Sequence, residues 1–248
     1  MEYPRLLSCL DADFTRLRQV ATRDLAAPVP SCPEWTVSDL VEHVGMVYLH
    51  KTESMRHQER ITWPPPTRGE APLDLLDRAY AELTAEFAAR KPDEPTPTWY
   101  RPEQTVGFWI RRMAQETVIH RVDAELALGE PLAEIPEDLA LDGVDEILER
   151  FLAYGSWNWQ EYFSPVLPPT FAEPVLVQAG PRRWLIRPTP DDVEVEDAET
   201  DQPVVASVRG APVPVLLWLW RRADGGVTRA GDEAQIDLLR RLLEAATQ

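Results

Sequence analysis

Four histidines occur in the 248 residues, few enough to weigh one by one. His120 stands four residues after Glu116 in Glu116-Thr117-Val118-Ile119-His120. On a helix that spacing stacks a carboxylate and an imidazole on one face, their Cβ atoms about 5–6 Å apart. Their neighbours at helical spacing, Met113, Thr117, Ile119 and Ala124, are apolar or small. A carboxylate facing a core is costly unless it is paired or bound to a cation. Ordinary partners compete for both groups: Arg112 four residues before Glu116, and Asp123 or Glu125 just after His120. Asp123 could equally sit behind a metal-bound imidazole and orient it. The Glu-x3-His spacing alone does not choose.

His43 lies three residues after Leu40 and four before Val47, at the edge of an apolar stripe. A core-edge histidine satisfied by one hydrogen bond is a complete account of it. Joined to Glu116 and His120, it would supply the second nitrogen of a catalytic zinc site, which keeps a fourth position open. Nickel, manganese and iron accept the same donors. His50 and His57 sit in polar company (Lys51, Arg56, Gln58) and are expected at the solvent. Cys32 has no histidine near it in sequence to activate it, and is expected to be a small buried loop residue.

The elements that must carry these residues follow from periodicity and breakers. Helices are expected over residues 3–25, 36–60, 73–90, 104–128 and 137–162, separated by proline-rich joints such as Pro64-Pro65-Pro66. Thr36 with Asp39 three residues on reads as a capping box opening the second helix. Gly129 before Pro131 closes the fourth. Pro165, Pro168 and Pro169 mark a linker. Beyond it, strands are expected at 175–178, 184–187, 193–196 and 204–208, with a short one at 227–228 and helices at 212–220 and 233–246. Strands and helices are grouped rather than alternating, so the second part reads as α+β. The expected division is therefore a helical domain over 1–163 and an α+β domain over 164–248.

The net charge of −17, from 25 basic against 42 acidic residues, argues against nucleic acid as a partner. No window approaches 18 consecutive apolar residues, so no membrane span is expected. The N-terminus shows no secretory pattern and the two cysteines make no disulfide framework, pointing to the cytoplasm.

Two stretches carry a family resemblance. Val29-Pro30-Ser31-Cys32-Pro33-Glu34-Trp35-Thr36-Val37-Ser38-Asp39-Leu40-Val41-Glu42-His43-Val44-Gly45 resembles the signature of the mycothiol-dependent maleylpyruvate isomerase family. The run from Arg112 to Glu125 resembles its second motif. The resemblance implies a DinB-like antiparallel four-helix bundle, with His43, Glu116 and His120 as ligands of a divalent metal, zinc by preference. Ala206-Ser207-Val208-Arg209-Gly210 and Leu216-Leu217-Trp218-Leu219-Trp220-Arg221-Arg222 resemble the sterol-carrier-like α+β domain that follows the bundle in that family. There a Trp-Leu-x-Gly-Arg pattern presents an arginine, matched here by Arg222, with Arg221 in place of the glycine. A guanidinium suits a carboxylate bidentately.

The resemblance implies an enzyme that uses mycothiol in thiol-addition chemistry on a small electrophile, as cis–trans isomerase or S-transferase. Arg222 would be the catalytic-site residue holding a substrate carboxylate, in a monomer or homodimer. A metal-dependent hydrolase on the same bundle is the first rival, with bound water as nucleophile. A non-catalytic metal-binding or regulatory protein is the second.

Overall fold

The computed structural model describes residues 1–198 and 204–247. They divide into two compact units, Met1–Glu134 and Ile135–Gln248. The first unit is the antiparallel bundle: α1 (Tyr3–Ala21), α2 (Val37–His57), α3 (Pro72–Ala89) and α4 (Val106–Ala127). α1 packs on α4, α2 packs on α3, and α2 also meets α4. Close approach of α2 to α3 needs Gly45, where a Cβ would stand 3.0 Å from Leu75 Cγ and 3.2 Å from the Leu76 backbone. Local chemistry sets the helix starts. Thr36 accepts from the Asp39 amide and Asp39 accepts from the Thr36 amide, the reciprocal box expected of the sequence. Thr105 caps α4 by accepting from the Phe108 amide.

α4 is buried almost all round, charged residues included. Arg121, fully buried, is held by Asp13 of α1 at 3.0 Å and by Glu125 at 2.7 Å, and Arg16 adds a second cation to Glu125 at 2.7 Å. Buried charges persist in a core only when paired in this way.

The second unit opens with α5 (Glu137–Glu146), which continues through a π-helical stretch, Ile147–Ala153, into α6 (Tyr154–Asn158), followed by α7 (Gln160–Phe163). Five strands follow: β1 (Val175–Ala179), β2 (Arg182–Pro188), β3 (Val193–Asp197), β4 (Ala206–Gly210) and β5 (Val227–Gly231). The sheet order is β3-β2-β1-β4-β5, with β1 and β4 parallel and the other neighbours antiparallel. α8 (Pro212–Leu219) and α9 (Glu233–Ala246) pack on β1 and β4, burying Trp184 and Trp218 completely. This is the α+β arrangement read from the sequence.

The boundary is a correction. The sequence reading placed it at 163/164, but α5 packs on α8 and the π-helical stretch on β3 and α9, so the fifth helical run belongs to the second unit. Its apolar face is as compatible with a sheet as with a bundle, and periodicity does not distinguish them. No helix among the described residues is long and apolar enough to cross a membrane.

After α8 the chain turns through Arg221 at φ 62°, in the left-handed region. Arg221 stands where the sequence resemblance implies a glycine, and its backbone adopts the conformation glycine favours. The Arg221 side chain returns part of the cost: Nη2 donates to Thr247 Oγ1 at 3.1 Å and Nη1 lies 3.4 Å from Glu244, an exposed partner. Left-handed backbone costs a non-glycine residue about 1–2 kcal/mol, and an exposed ion pair returns roughly 0–1 kcal/mol. Arg221→Gly is therefore expected to unfold within about 1 kcal/mol of the parent. Arg221→Val should fall below Arg221→Gly by at least about 1 kcal/mol in urea unfolding, since a β-branched residue fits that region worst.

Candidate metal centre

The loop before α2 folds back on itself, and that fold prepares the site. The Val29 amide donates to the Trp35 carbonyl and the Val37 amide to the Ala27 carbonyl, each at 2.9 Å. The loop thereby delivers Ser31, Cys32 and Trp35 beside the first turns of α2. Ser31 Oγ donates across to Asp123 Oδ1 of α4 at 2.5 Å, fastening loop to helix.

The structure brings His43, Glu116 and His120 together. Glu116 Oε1 lies 3.4 Å from His43 Nε2 and 3.2 Å from His120 Nε2. One ligand atom from each of the three lies within 4.8 Å of the others. Glu116 Oε2 accepts from Arg112 Nη2 at 2.7 Å. His120 Nδ1 lies 2.9 Å from Asp123 Oδ2, a fully buried carboxylate. An imidazole that donates from Nδ1 presents Nε2 inward, as a metal ligand needs. Both ordinary pairings weighed from the sequence, Arg112 with Glu116 and Asp123 with His120, are thus present alongside the three-residue cluster.

Two tryptophans wall the site. The Trp35 ring lies 4.8 Å from that of His43 and 6.5 Å from that of His120. Trp63, on the loop after α2, has its ring 5.8 Å from that of His43 and stays 46% exposed. The His43 side chain is 26% exposed against 11% for His120, so the cluster opens on the His43 side.

Burial opposes charge on Glu116, but His120, His43 and Arg112 outweigh it and hold the carboxyl well below its usual range. Burial also opposes charge on His120, yet Glu116 and Asp123 raise it from 6.5 to about 9. The donor set suits a borderline divalent cation: two imidazole nitrogens, one ionised carboxylate oxygen and room for a further ligand. The same groups form a hydrogen-bonded ion cluster with one another.

Other residues fall differently. His57 is exposed beside Glu53, as expected, but His50 is half-buried, with Nε2 2.8 Å from the Ile61 carbonyl oxygen. Cys32 is half-buried rather than buried, because its loop lies at the surface of the bundle. Arg222 lies in the second unit just after α8, where Nη1 donates to the Trp220 carbonyl at 2.8 Å. Sequence reasoning missed Ser31 and Trp63 altogether. No spacing rule joins Ser31 to a partner 92 residues away.

The charge on His120 makes stability depend on pH. With no metal bound, its imidazolium is expected to stabilise the fold fully below pH 6.5, a contribution lost as pH rises through about 9. Urea unfolding in a chelator should show stability declining across that window, and His120→Gln should flatten the decline.

Comparison with known proteins covers most of the chain. Residues 7–125 match the mycothiol maleylpyruvate isomerase N-terminal domain and residues 138–238 the C-terminal domain of that family. A crystal structure of a mycothiol-dependent maleylpyruvate isomerase superposes with a TM-score of 0.64 at 15% identity, over 94% of this chain and 95% of that one. A histidine-to-alanine mutant of such an enzyme superposes equally, at 16% identity and with the same coverage of both chains. No curated protein matches the sequence. These likenesses at low identity establish the fold, while the two domain models, in order and together spanning both units, establish descent: the chain belongs to the mycothiol maleylpyruvate isomerase family.

Proposed function

We propose that the protein is a metal-dependent enzyme that uses mycothiol as thiol cofactor or co-substrate. The reaction is thiol addition to a small electrophile, giving cis–trans isomerisation where the thiol leaves again and S-transfer where it stays. The observation that carries this reading is the convergence of His43 Nε2, Glu116 Oε1 and His120 Nε2. A divalent metal, zinc by preference, would supply the charge that keeps a thiol deprotonated at neutral pH.

The chain's own residues have distinct tasks in this reading. His43, Glu116 and His120 would hold the metal. Asp123, itself held by Ser31, fixes the His120 ring so that Nε2 faces the other two donors. Arg112 binds the Glu116 oxygen that is turned away from the histidines and keeps the carboxylate from swinging out. Trp35 and Trp63 would offer aromatic faces to a ligand beside His43, at the more open side of the cluster. Arg222 binds a carboxylate of the substrate.

Protein purified without a histidine tag is expected to carry stoichiometric divalent metal, lost in His43→Ala and in His120→Ala. Mycothiol should bind metal-loaded protein at least on the order of ten-fold more tightly than stripped protein, since a ligated thiol is bound as its thiolate. Calorimetry that finds the two affinities equal would overturn the mechanism. Asp123→Asn should weaken metal affinity about 10–100-fold with the fold intact, as removal of an outer hydrogen-bond partner does. A chelator competition assay measures that loss directly.

A further inference from the structure

Lys51 is one of only two lysines in the chain, and it is half-buried on α2. Its Nζ lies 3.1 Å from His50 Nδ1 and 5.0 Å from the centre of the Trp109 ring on α4. His50 Nε2 faces the Ile61 carbonyl oxygen and must donate to it, which leaves Nδ1 as acceptor for the ammonium. Burial and the neighbouring Lys51 charge bring His50 down to about 4, so it is neutral and offsets nothing. Among the described residues no carboxylate stands at ion-pair distance from Nζ; it touches a neutral nitrogen and an aromatic face. Glu116 attracts the ammonium from farther off, but that carboxylate is already engaged by Arg112 and both histidines. Burial lowers Lys51 only to about 8, so it remains a cation at neutral pH. A cation withdrawn from water without a counter-ion is costly and marks a place that an anion can complete.

Its position says which anion. Eight residues separate Lys51 from His43 on the same helix, about 12 Å along the axis. Both side chains lean toward the helix N-terminus, and the longer lysine stem reaches farther in that direction than the imidazole does. Trp63 covers the interval, with its ring 5.8 Å from that of His43 and 5.7 Å from that of His50.

We propose that Lys51 is an anion subsite of the same centre, binding a carboxylate at the far end of a small ligand whose reacting end lies at His43, Glu116 and His120. The subsite rests on the metal-and-thiol reading only for what occupies that reacting end. Trp63 forms the apolar wall between the two ends. A divalent cation would add two positive charges to those of Arg112 and Lys51, against the single charges of Glu116 and Asp123. The balance favours an anionic ligand.

Two lysines make the test direct. Protein labelled with nitrogen-15 lysine gives two side-chain signals, from Lys51 and from the exposed Lys91. Titration of the zinc-loaded protein with succinate should shift the Lys51 signal saturably and leave Lys91 in place. Calorimetry should show succinate binding at least about ten-fold weaker in Lys51→Met, the loss expected for one charged hydrogen bond. Lys51→Arg should retain most of the affinity, and zinc affinity should match the parent in both variants. An unmoved Lys51 signal, or parental succinate affinity in Lys51→Met, overturns the subsite. If zinc fails to bind while succinate still shifts Lys51, the metal reading falls and the subsite stands.

Discussion

An ionised carboxylate inside a helical bundle is the constraint from which the first unit takes its order. Glu116 keeps its charge against the cost of burial because three cationic or hydrogen-bonding groups converge on its two oxygens. Each comes from a defined place: Arg112 one turn back, His120 one turn on, and His43 across from α2. Remove any one and the remaining charge is less compensated in a medium that magnifies the imbalance. The packing of α2 against α4 is thus tied to a polar centre as well as to apolar area.

The same helix carries a second charged cluster on another side, and comparison of the two separates stability from chemistry. Arg121, Asp13, Glu125 and Arg16 neutralise one another between α1 and α4, with Arg121 and Glu125 wholly buried. Around Glu116 the donors are partly exposed, aromatic rings stand at the rim, and the two nitrogens and the oxygen lie within 4.8 Å of one another. A closed ion network holds helices together. An open one with converging lone pairs can also receive a ligand.

Much of this was legible in the residue order. The capping box at Thr36 and Asp39, the face shared by Glu116 and His120, and the change of texture after the helices are local signals with periods of a few residues. His43 was ambiguous because its partners lie on α4, and only resemblance joined them before the fold was in view. The contacts behind the three-residue cluster were out of reach: Ser31 meets Asp123 through a loop whose path has no periodicity. Lys51 entered the sequence reading only as polar company for His50 and His57, while in space it meets His50 and the ring of Trp109. The unit boundary was misplaced for a related reason, since an apolar helical face does not say what will cover it.

The capping box also acts as a phase reference. Thr36 fixes where α2 begins, and each later residue is turned about 100° from the one before. His43 meets Glu116 because a set number of residues separates it from that starting point. A single insertion between cap and histidine would rotate the imidazole by about 100°, away from the carboxylate, with every donor still present in the sequence. The length of that interval is therefore as much a part of the centre as the identities of the side chains that meet there.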